Sequence, residues 1–340
     1  RTYLEHTVRC RTQQRTNVRF ITYTNVTELI IAGDLVTGCQ VENRDTGDMQ
    51  VYHADLVVDA SGRYSKTVDW LADMGYAPPP ETNIDPHMGY ASRWYHLPEG
   101  VELDPPAALI QTGIVPGVYR GGAMVVLENR QVVVTLAGMN KDYPPTDEDG
   151  FLEFARSLPD PIAIEWIEQL EPVSPIAGYR ASNRLRHFHR AKHYPDRLLF
   201  IGDTVSSLNP IYGQGMTVAL MHVHTLHDVL ESSQSLDGLA LRFHRKLARV
   251  NLIPWLTAVS EDRRYPLTDG PPLNLFDRMA FAYLRLLFRA TPYDDAISRA
   301  LLRTMHMIQH PIMLAHPRLL LGIIKMIVQQ LFERRRSNRV

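Results

Sequence analysis

The stretch FIGDTVSSLNPIYGQGMTVAL, residues 200–220, combines three local patterns. The apolar run that begins at Leu198 predicts a short buried strand, which ends at Gly202 and Asp203. A loop rich in Ser, Asn and Pro follows, and Gly213-Gln214-Gly215 then opens a segment with helical apolar spacing. An acidic residue at the end of a buried strand, facing the glycine-rich start of a helix, indicates a site that holds a ligand.

The predicted helix start suggests which ligand atoms would suit this site. The first N–H groups of a helix and the positive end of its dipole favour an anionic or electron-rich atom. Asp203 can accept hydrogen bonds from ligand hydroxyl groups, and Pro210 stiffens the intervening loop. A strand–loop–helix unit with a capping Asp and turn glycines explains the pattern equally well, so both interpretations stay open. We expect the helix to bury its apolar residues Met216, Leu220, Val223, Leu226 and Leu230.

Composition places the chain among ordinary globular proteins. Its 340 residues are enough for one large domain or two of usual size, and 45% are hydrophobic against 21% charged. A net charge of −1 gives no reason to expect a nucleic-acid partner. Cys10 and Cys39 are too few for a disulfide scaffold and fit a reducing cytoplasm, where we expect the protein to act.

The rest of the chain alternates strand and helix patterns, which predicts an α/β fold. Residues 18–58 predict a β-meander whose last strand, Leu56 to Val58, ends at Asp59. A helix is predicted from Thr67 to Met74, and the proline-rich residues 76–80 indicate a domain edge. The remaining predicted elements are a sheet between 88 and 138, helices at 147–158 and 162–170, and further helices after about residue 236.

The C-terminal segment allows two interpretations. An apolar stretch from Leu319 to Val328 is interrupted by Lys325 and is too short to span a membrane, and it leads into Arg334-Arg335-Arg336. A helix of this kind could make a peripheral membrane contact. It equally fits a core-packing helix whose terminal arginines complement its dipole.

Two motifs together resemble a known family. The stretch RLLFIGDTVSSLNPIYGQGMTVAL, residues 197–220, resembles the second flavin-binding motif of the p-hydroxybenzoate hydroxylase-like FAD-dependent monooxygenases and oxidoreductases, and ADLVVDASGRYS, residues 54–65, resembles the other internal motif of that family. The order of the two motifs and their separation along the chain are also similar to those in the family. The resemblance implies an α/β, Rossmann-like FAD-binding domain in two parts, a sheet-based substrate domain and a helical C-terminal region. We assign these to residues 1–75 and 179–232, to 76–178, and to 233–340.

The resemblance implies a role for each motif residue. Asp203 would bind the ribityl hydroxyls of FAD, and Pro210 would lie beside the isoalloxazine ring. Asp59 and Gly62 would lie near the phosphate and ribose, and Val26, ending a strand of the meander, would offer its backbone to the adenine. The backbone of Gly215, Met216 and Thr217 would face the pyrimidine end of the flavin, and Gly213 before them is also implied as a cofactor-binding residue.

The sequence also departs from the family. The opening RTYLEHTVRCR resembles a helix that comes about a hundred residues into such enzymes, and no strand with G-x-G-x-x-G precedes it. We therefore expect the N-terminal part of the FAD domain to be absent from residues 1–340. Thr204-Val205-Ser206 stands where the family often has Ala-Ala-His, and Thr217 replaces a frequent Asn.

The resemblance implies an NAD(P)H-dependent monooxygenase that uses FAD and O2 to hydroxylate or epoxidise a lipophilic or aromatic small molecule. An FAD-dependent reductase of unsaturated bonds and a non-catalytic remnant of the fold remain as alternatives. The tryptophans do not form the W-x-W-x-I-P motif of flavin-dependent halogenases, and His222, His224 and His227 lack the further ligands of a zinc site, so we expect no metal. An apolar wall over the flavin, with core packing as the alternative, is expected from Tyr90, Trp94, Tyr95, Ile110 and Met124.

Overall fold

The computed structural model describes residues 2–112 and 117–337, except for the side chains of Thr2, Pro311 and residues 331–337. The chain begins with helix α1 (Thr2–Gln13) and continues into an antiparallel sheet of three strands in the order β1-β2-β3. These strands are β1 (Thr24–Ala32), β2 (Leu35–Asn43) and β3 (Met49–His53). They are followed by a short strand β4 (Val57–Asp59) and helix α2 (Thr67–Asp73).

The meander starts later than its sequence predicts. Val18 to Thr22 alternate like a strand but lie outside β1. The partner strand β2 ends at Asn43, which pairs with Thr24, so the residues before Thr24 have no strand beside them on this sheet. Val18 and Phe20 are exposed, and without a buried face their alternation does not produce a strand.

A second, larger antiparallel sheet occupies the middle of the chain. Its strands run in the order β12-β10-β5-β8-β7-β6, with β9 pairing at the end of β5. Both β10 and β8 pair with the long strand β5, so β5 lies at the centre. The strands are β5 (Glu81–His96), β6 (Ala107–Ile110), β7 (Arg120–Val126), β8 (Gln131–Gly138), β9 (Glu171–Pro172), β10 (Ala177–Arg186) and β12 (Ser206–Ser207).

Helices α3 (Glu148–Arg156) and α4 (Ile162–Ile167) cover one face of this sheet. The side chain of Asp147 caps α3 by accepting a hydrogen bond of 2.9 Å from the N–H of Gly150. Between the sheet and the two helices lies the largest apolar core, and the residues that fill it include Ala91, Tyr95, Met124, Val134, Leu136, Phe151, Phe154, Trp166 and Ile167.

This core corrects the expected apolar wall. Tyr95 and Met124 are fully buried in it and Ile110 packs against it, whereas Trp94 is partly exposed. Successive side chains of a strand point to opposite faces, so Tyr90 and Tyr95, five positions apart on β5, cannot share one. The core-packing alternative holds for Tyr95 and Met124, and of the five residues Tyr90 alone is bonded to the segment around Pro210.

A parallel pair of strands joins the N-terminal part of the chain to residues beyond the large sheet. β4 pairs with β11 (Leu198–Phe200), whose side chains are all buried. Helix α5 (Gly215–Glu231) follows and packs against α6 (Leu239–Asp262). Their core includes Val68, Leu71, Leu199, Phe200, Val229, Phe243 and Leu247.

The C-terminal region consists of helices α7 (Leu275–Ala290), α8 (Asp295–Met305) and α9 (Pro317–Ser337). In α9, Leu319, Ile323 and Met326 are buried against the other two helices, as the core-packing interpretation expects. The membrane contact gains no support from this packing, and the side chains of Arg334-Arg335-Arg336 lie outside the described ones. In the part of the chain that the structure describes, no helix combines the length and apolarity needed to cross a bilayer.

We expect Met124→Ala to lower the free energy of unfolding by about 2–5 kcal/mol, because it leaves a cavity in a fully packed core. Urea denaturation followed by circular dichroism measures the change. Leu109→Ala, at an exposed position on the neighbouring strand β6, is the control and should stay within about 0.5 kcal/mol of the wild type. Equal losses in the two variants would contradict the placement of Met124 in the core.

Candidate functional site

The two sequence motifs meet at the carboxyl ends of β4 and β11. These strands are parallel neighbours, with Val57 opposite Leu198 and Asp59 opposite Phe200. Each chain leaves its strand at this edge, one into residues 59–65 and the other into residues 202–215. In open α/β sheets ligands bind outside the carboxyl ends of parallel strands, so this end of the two-stranded pair is a candidate ligand site.

The carboxylate of Asp59 organises the turn after β4. It accepts hydrogen bonds from the backbone N–H of Ser61 at 2.8 Å and from the hydroxyls of Ser61 and Ser65, both at 2.5 Å. The side chain is therefore buried and used inside its own turn. Gly62 lies partly exposed in this turn, and its φ of 89° is readily adopted by glycine.

A reciprocal pair of hydrogen bonds joins the motifs. The hydroxyl of Thr204 accepts from the N–H of Gly62 at 2.9 Å and lies 3.2 Å from its carbonyl, to which it donates. Thr204 is fully buried. In the sequence, Thr204 stands out only as a departure from the family. Its hydroxyl directly after Gly-Asp was the one signal that could have predicted this role.

A buried histidine fixes the backbone just before Asp203. The N–H of Gly202 donates to Nδ1 of His222 at 2.9 Å, and Nε2 of His222 is 2.7 Å from Oδ1 of Asn251 on α6. Because Nδ1 accepts, the proton of the neutral ring is on Nε2 and donates to Asn251. Burial lowers the pKa of His222, which favours this neutral form. From the sequence, His222 was considered only as a zinc ligand, and its contact with Gly202 was not predicted.

Residues 209–213 form a tight segment in front of α5. The side chain of Asn209 caps a short 3-10 turn at Pro210–Tyr212, and Gly213 follows with a left-handed φ of 64°. The hydroxyl of Tyr90 donates to Oδ1 of Asn209 and accepts from the N–H of Ile211 at 3.1 Å. Pro210 itself is exposed between these two anchored residues.

Asp203 and the start of α5 lie together, as the sequence predicts. A Cβ atom placed on Gly215 would be 3.9 Å from Oδ1 of Asp203, so the carboxylate lies beside the first turn of the helix. Gly213 and Gly62 have no atom within 4 Å of such a Cβ and border open space. The cofactor-binding candidates that are exposed on this side are Asp203, Pro210, Gly213, Met216 and Thr217.

The predicted buried face of α5 is wrong for four of its five residues, and of the five only Leu226 packs against the core. Met216, Leu220 and Val223 are 48%, 69% and 50% exposed, and Leu230 is partly exposed as well. The helix instead buries Val218, His222, Thr225 and Val229. The apolar spacing misled because two of the four residues on the true inner face are polar, and hydrogen bonds to Asn251 and to the carbonyl of Met221 make their burial favourable.

Val26 is not brought to the other candidates. It is the third residue of β1, near the start of the strand rather than its end, and it pairs with Val41 on the separate three-stranded sheet. Among the described residues, no group of three or more His, Cys, Asp or Glu side chains is arranged to hold a metal ion. His224 and His227 lie on the surface of α5 beside Asp228 and Glu231.

Curated proteins similar to this chain share part of its length. The chain is 26% identical to Protein Rv3254 of Mycobacterium tuberculosis over 253 residues, which cover 74% of this chain and 53% of that protein. It is 30% identical to kynurenine 3-monooxygenase of Chaetomium globosum over 108 residues, 32% of this chain and 22% of that enzyme. The chain thus spans about half of the first relative and less of the second. No family model matches the chain.

Solved structures extend the likeness to the fold. The myxobacterial chondrochloren halogenase CndH, described as a variant of FAD-dependent halogenases, superposes with a TM-score of 0.53 at 16% identity and covers 78% of this chain and 61% of its own. HpxO of Klebsiella pneumoniae, solved with FAD, gives 0.51 at 17% identity over 70% and 58%. These superpositions confirm the α/β fold class and the fold that the resemblance implies.

We expect His222→Ala to lower the free energy of unfolding at neutral pH by about 1–3 kcal/mol, because it leaves the N–H of Gly202 without its acceptor. Since the pKa of His222 is lowered in the folded state, the unfolded chain alone binds a proton as pH falls below about 6.5, and stability decreases there. The variant should lose this share of the acid sensitivity.

Urea denaturation at neutral and mildly acidic pH provides both measurements. His224→Ala, on the exposed side of the same helix, is the matched control and should change stability by no more than about 0.5 kcal/mol. Two variants of equal stability, or a wild-type acid sensitivity retained in His222→Ala, would contradict the role of His222.

Proposed function

We propose that this chain contributes the flavin end of the cofactor site in an FAD-dependent monooxygenase. The observation that carries the proposal is the junction of the two motifs at the ends of β4 and β11, where Gly62 bonds to Thr204 and Asp203 lies beside Gly215. The fold shared with FAD-dependent enzymes and the partial likeness to kynurenine 3-monooxygenase support it.

The residues present fit the flavin end of FAD. Space is open at Gly62 and Gly213, where any side chain would enter the site, and both glycines have a positive φ. Asp203 would accept hydrogen bonds from the ribityl hydroxyls, and the N–H groups at the start of α5 would face the pyrimidine edge. Bound FAD would supply the redox chemistry, while the chain orients it and limits access of water.

The roles of Asp59 and Gly62 follow from the geometry. Because the carboxylate of Asp59 is used within its turn, we assign it to shaping residues 59–65 rather than to contacting the cofactor. Gly62 keeps its proposed place near the ribose and phosphate, held by Thr204. Asp59 and Thr204 are thus positioning residues for the backbone at Gly62.

The substrate is proposed to be a lipophilic or aromatic small molecule, with NAD(P)H and O2 as the co-substrates. On the face of the large sheet opposite α3 and α4, Met88 and Tyr90 pack against Ile211 of the 209–213 segment. Aromatic rings continue this surface, since Tyr90 stacks on Tyr179 at 6.5 Å between ring centroids. Exposed aromatic rings such as that of Tyr179 favour an apolar or aromatic substrate over a small charged metabolite.

Product analysis under isotopically labelled O2 tests the reaction. A screen for substrate-stimulated NAD(P)H oxidation, with hydrophobic aromatics and polyenes against small polar acids, first selects the substrate. A monooxygenase transfers a labelled oxygen atom to the product. Reduced product without label would establish the reductase instead, a preference for polar acids would overturn the substrate class, and a protein with neither flavin absorbance nor NAD(P)H oxidation would overturn the enzyme.

We expect Asp203→Ala to raise the FAD dissociation constant by roughly one to two orders of magnitude, because each charge-assisted hydrogen bond to a ribityl hydroxyl contributes about 1.5–3 kcal/mol. Quenching of flavin fluorescence measures the constant. Asp228→Ala, near the other end of α5, is the control and should bind FAD as the wild type does. Unchanged affinity in a normally folded Asp203→Ala protein would rule out this role.

A further inference from the structure

Asp262, the last residue of α6, is a fully buried carboxylate. It accepts hydrogen bonds from the hydroxyl of Tyr212 and from the side-chain amide of Asn183 on β10. Among the described residues, no Lys, Arg or His forms an ion pair with it. Burying an unpaired carboxylate is costly, so a group kept here needs a reason beyond packing.

The contacts of Asp262 continue to the segment that carries Pro210. Oδ1 of Asn183 accepts from the backbone N–H of Asn209 at 2.7 Å, and both asparagines are buried. Nδ2 of Asn209 points to the sulfur of Met88 at 3.1 Å. On the other side of Pro210, Tyr212 is bonded directly to Asp262.

The segment 209–212 is therefore held by three separate elements. Asn209 is fixed by β10, Ile211 by Tyr90 on β5, and Tyr212 by the end of α6. Asp262 holds both ends of this segment, one directly and one through Asn183. Asp262 also ties α6 to the large sheet, because its partner Asn183 lies on β10. The pairing of β10 with β5 is irregular next to Asn183.

The charge of Asp262 responds to pH in the neutral range. Burial raises its pKa to about 7, and the donors Tyr212, Asn183 and Asn209 oppose this. The other titratable groups that face it are the hydroxyls of Tyr90, Tyr212 and Tyr265, together with Glu261, which raises its pKa further and is paired with Arg264 at 2.7 Å. The three hydroxyls stay protonated in this range, because burial raises their pKa values.

Protonation changes what the carboxyl group can bond. The ionised form accepts from both Tyr212 and Asn183, whereas the neutral form has one oxygen that carries a proton and donates. The amide N–H of Asn183 can only donate, but the hydroxyl of Tyr212 can reverse and accept. Protonation therefore weakens the bond between Tyr212 and Asp262 in its observed direction and loosens the hold on residues 210–213.

We propose that Asp262 is a positioning residue that fixes the 209–213 segment through Tyr212 and Asn183, and that its ionised form holds the segment in the shape described above. Resting on the proposed function, this segment is the one against which the flavin lies. The conformation of the flavin site is thereby set from α6, outside the two sequence motifs.

Hydrogen–deuterium exchange of the full chain tests the positioning without any ligand. The amides of Asn209, Ile211, Tyr212 and Gly213 are followed at about pH 6 and about pH 8, with rates corrected for intrinsic exchange. Wild-type protection should rise about tenfold across this range, which spans the pKa of Asp262. Asp262→Asn should abolish the rise, and Asp228→Asn, which removes an exposed carboxylate on α5, should retain it.

The outcomes separate the two proposals. An unchanged rise in Asp262→Asn would overturn the positioning role, and Tyr212→Phe decides the matter in the same way if Asp262→Asn does not fold. The affinity for FAD, measured by titration, is the second readout. It should be lower in Asp262→Asn than in the wild type and should depend less on pH. If exchange behaves as expected while no variant or wild type binds FAD, the proposed function fails and the positioning of the segment stands.

Discussion

The site depends on the pair of hydrogen bonds between Gly62 and Thr204. They connect the turn after β4 with the turn after β11, in addition to the three registered residue pairs of the two strands and a hydrogen bond of 3.0 Å from Arg63 to the hydroxyl of Ser207. A fully buried hydroxyl that satisfies both the N–H and the carbonyl of one glycine leaves neither turn free to move alone. The positions of Asp203, of the 3-10 turn at Pro210 and of the start of α5 follow from this junction, because each continues from the residue before it along the chain.

Local patterns were sufficient for most of the fold. The buried run ending at Asp59, the capped helix after Asp147 and the Gly-Asp strand end were all found where the sequence predicts them. These features depend on neighbours within a few residues, so the sequence states them directly. The motif pair implied that both strand ends lie near one cofactor, and the structure places these ends side by side at one edge of a parallel pair.

What the sequence could not predict depends on contacts distant along the chain. The inner face of α5 includes His222 and Thr225, and polar residues do not predict a buried face. His222 is buried because Asn251, distant along the chain, provides its hydrogen-bond partner. The sequence gives no sign that Tyr90 and Tyr95 have different environments. Because side chains alternate along β5, Tyr95 points into the core under α3 and α4, and Tyr90 contacts Asn209. Asp59 and Asp203 both follow a strand as acidic residues. One closes a turn and the other is exposed beside a helix, and single-sequence patterns do not distinguish these uses.

The junction between Gly62 and Thr204 spans 142 positions in sequence, and all strands of the large sheet except β12 lie within that interval. Closing a loop of this length is entropically costly unless the intervening chain has already condensed. During synthesis, Asp59 leaves the ribosome long before its partner residue Phe200, and the strands between them are made in the interval. The candidate binding surface is therefore complete only after the chain between these two residues has condensed, so its formation depends on correct folding of the strands in between.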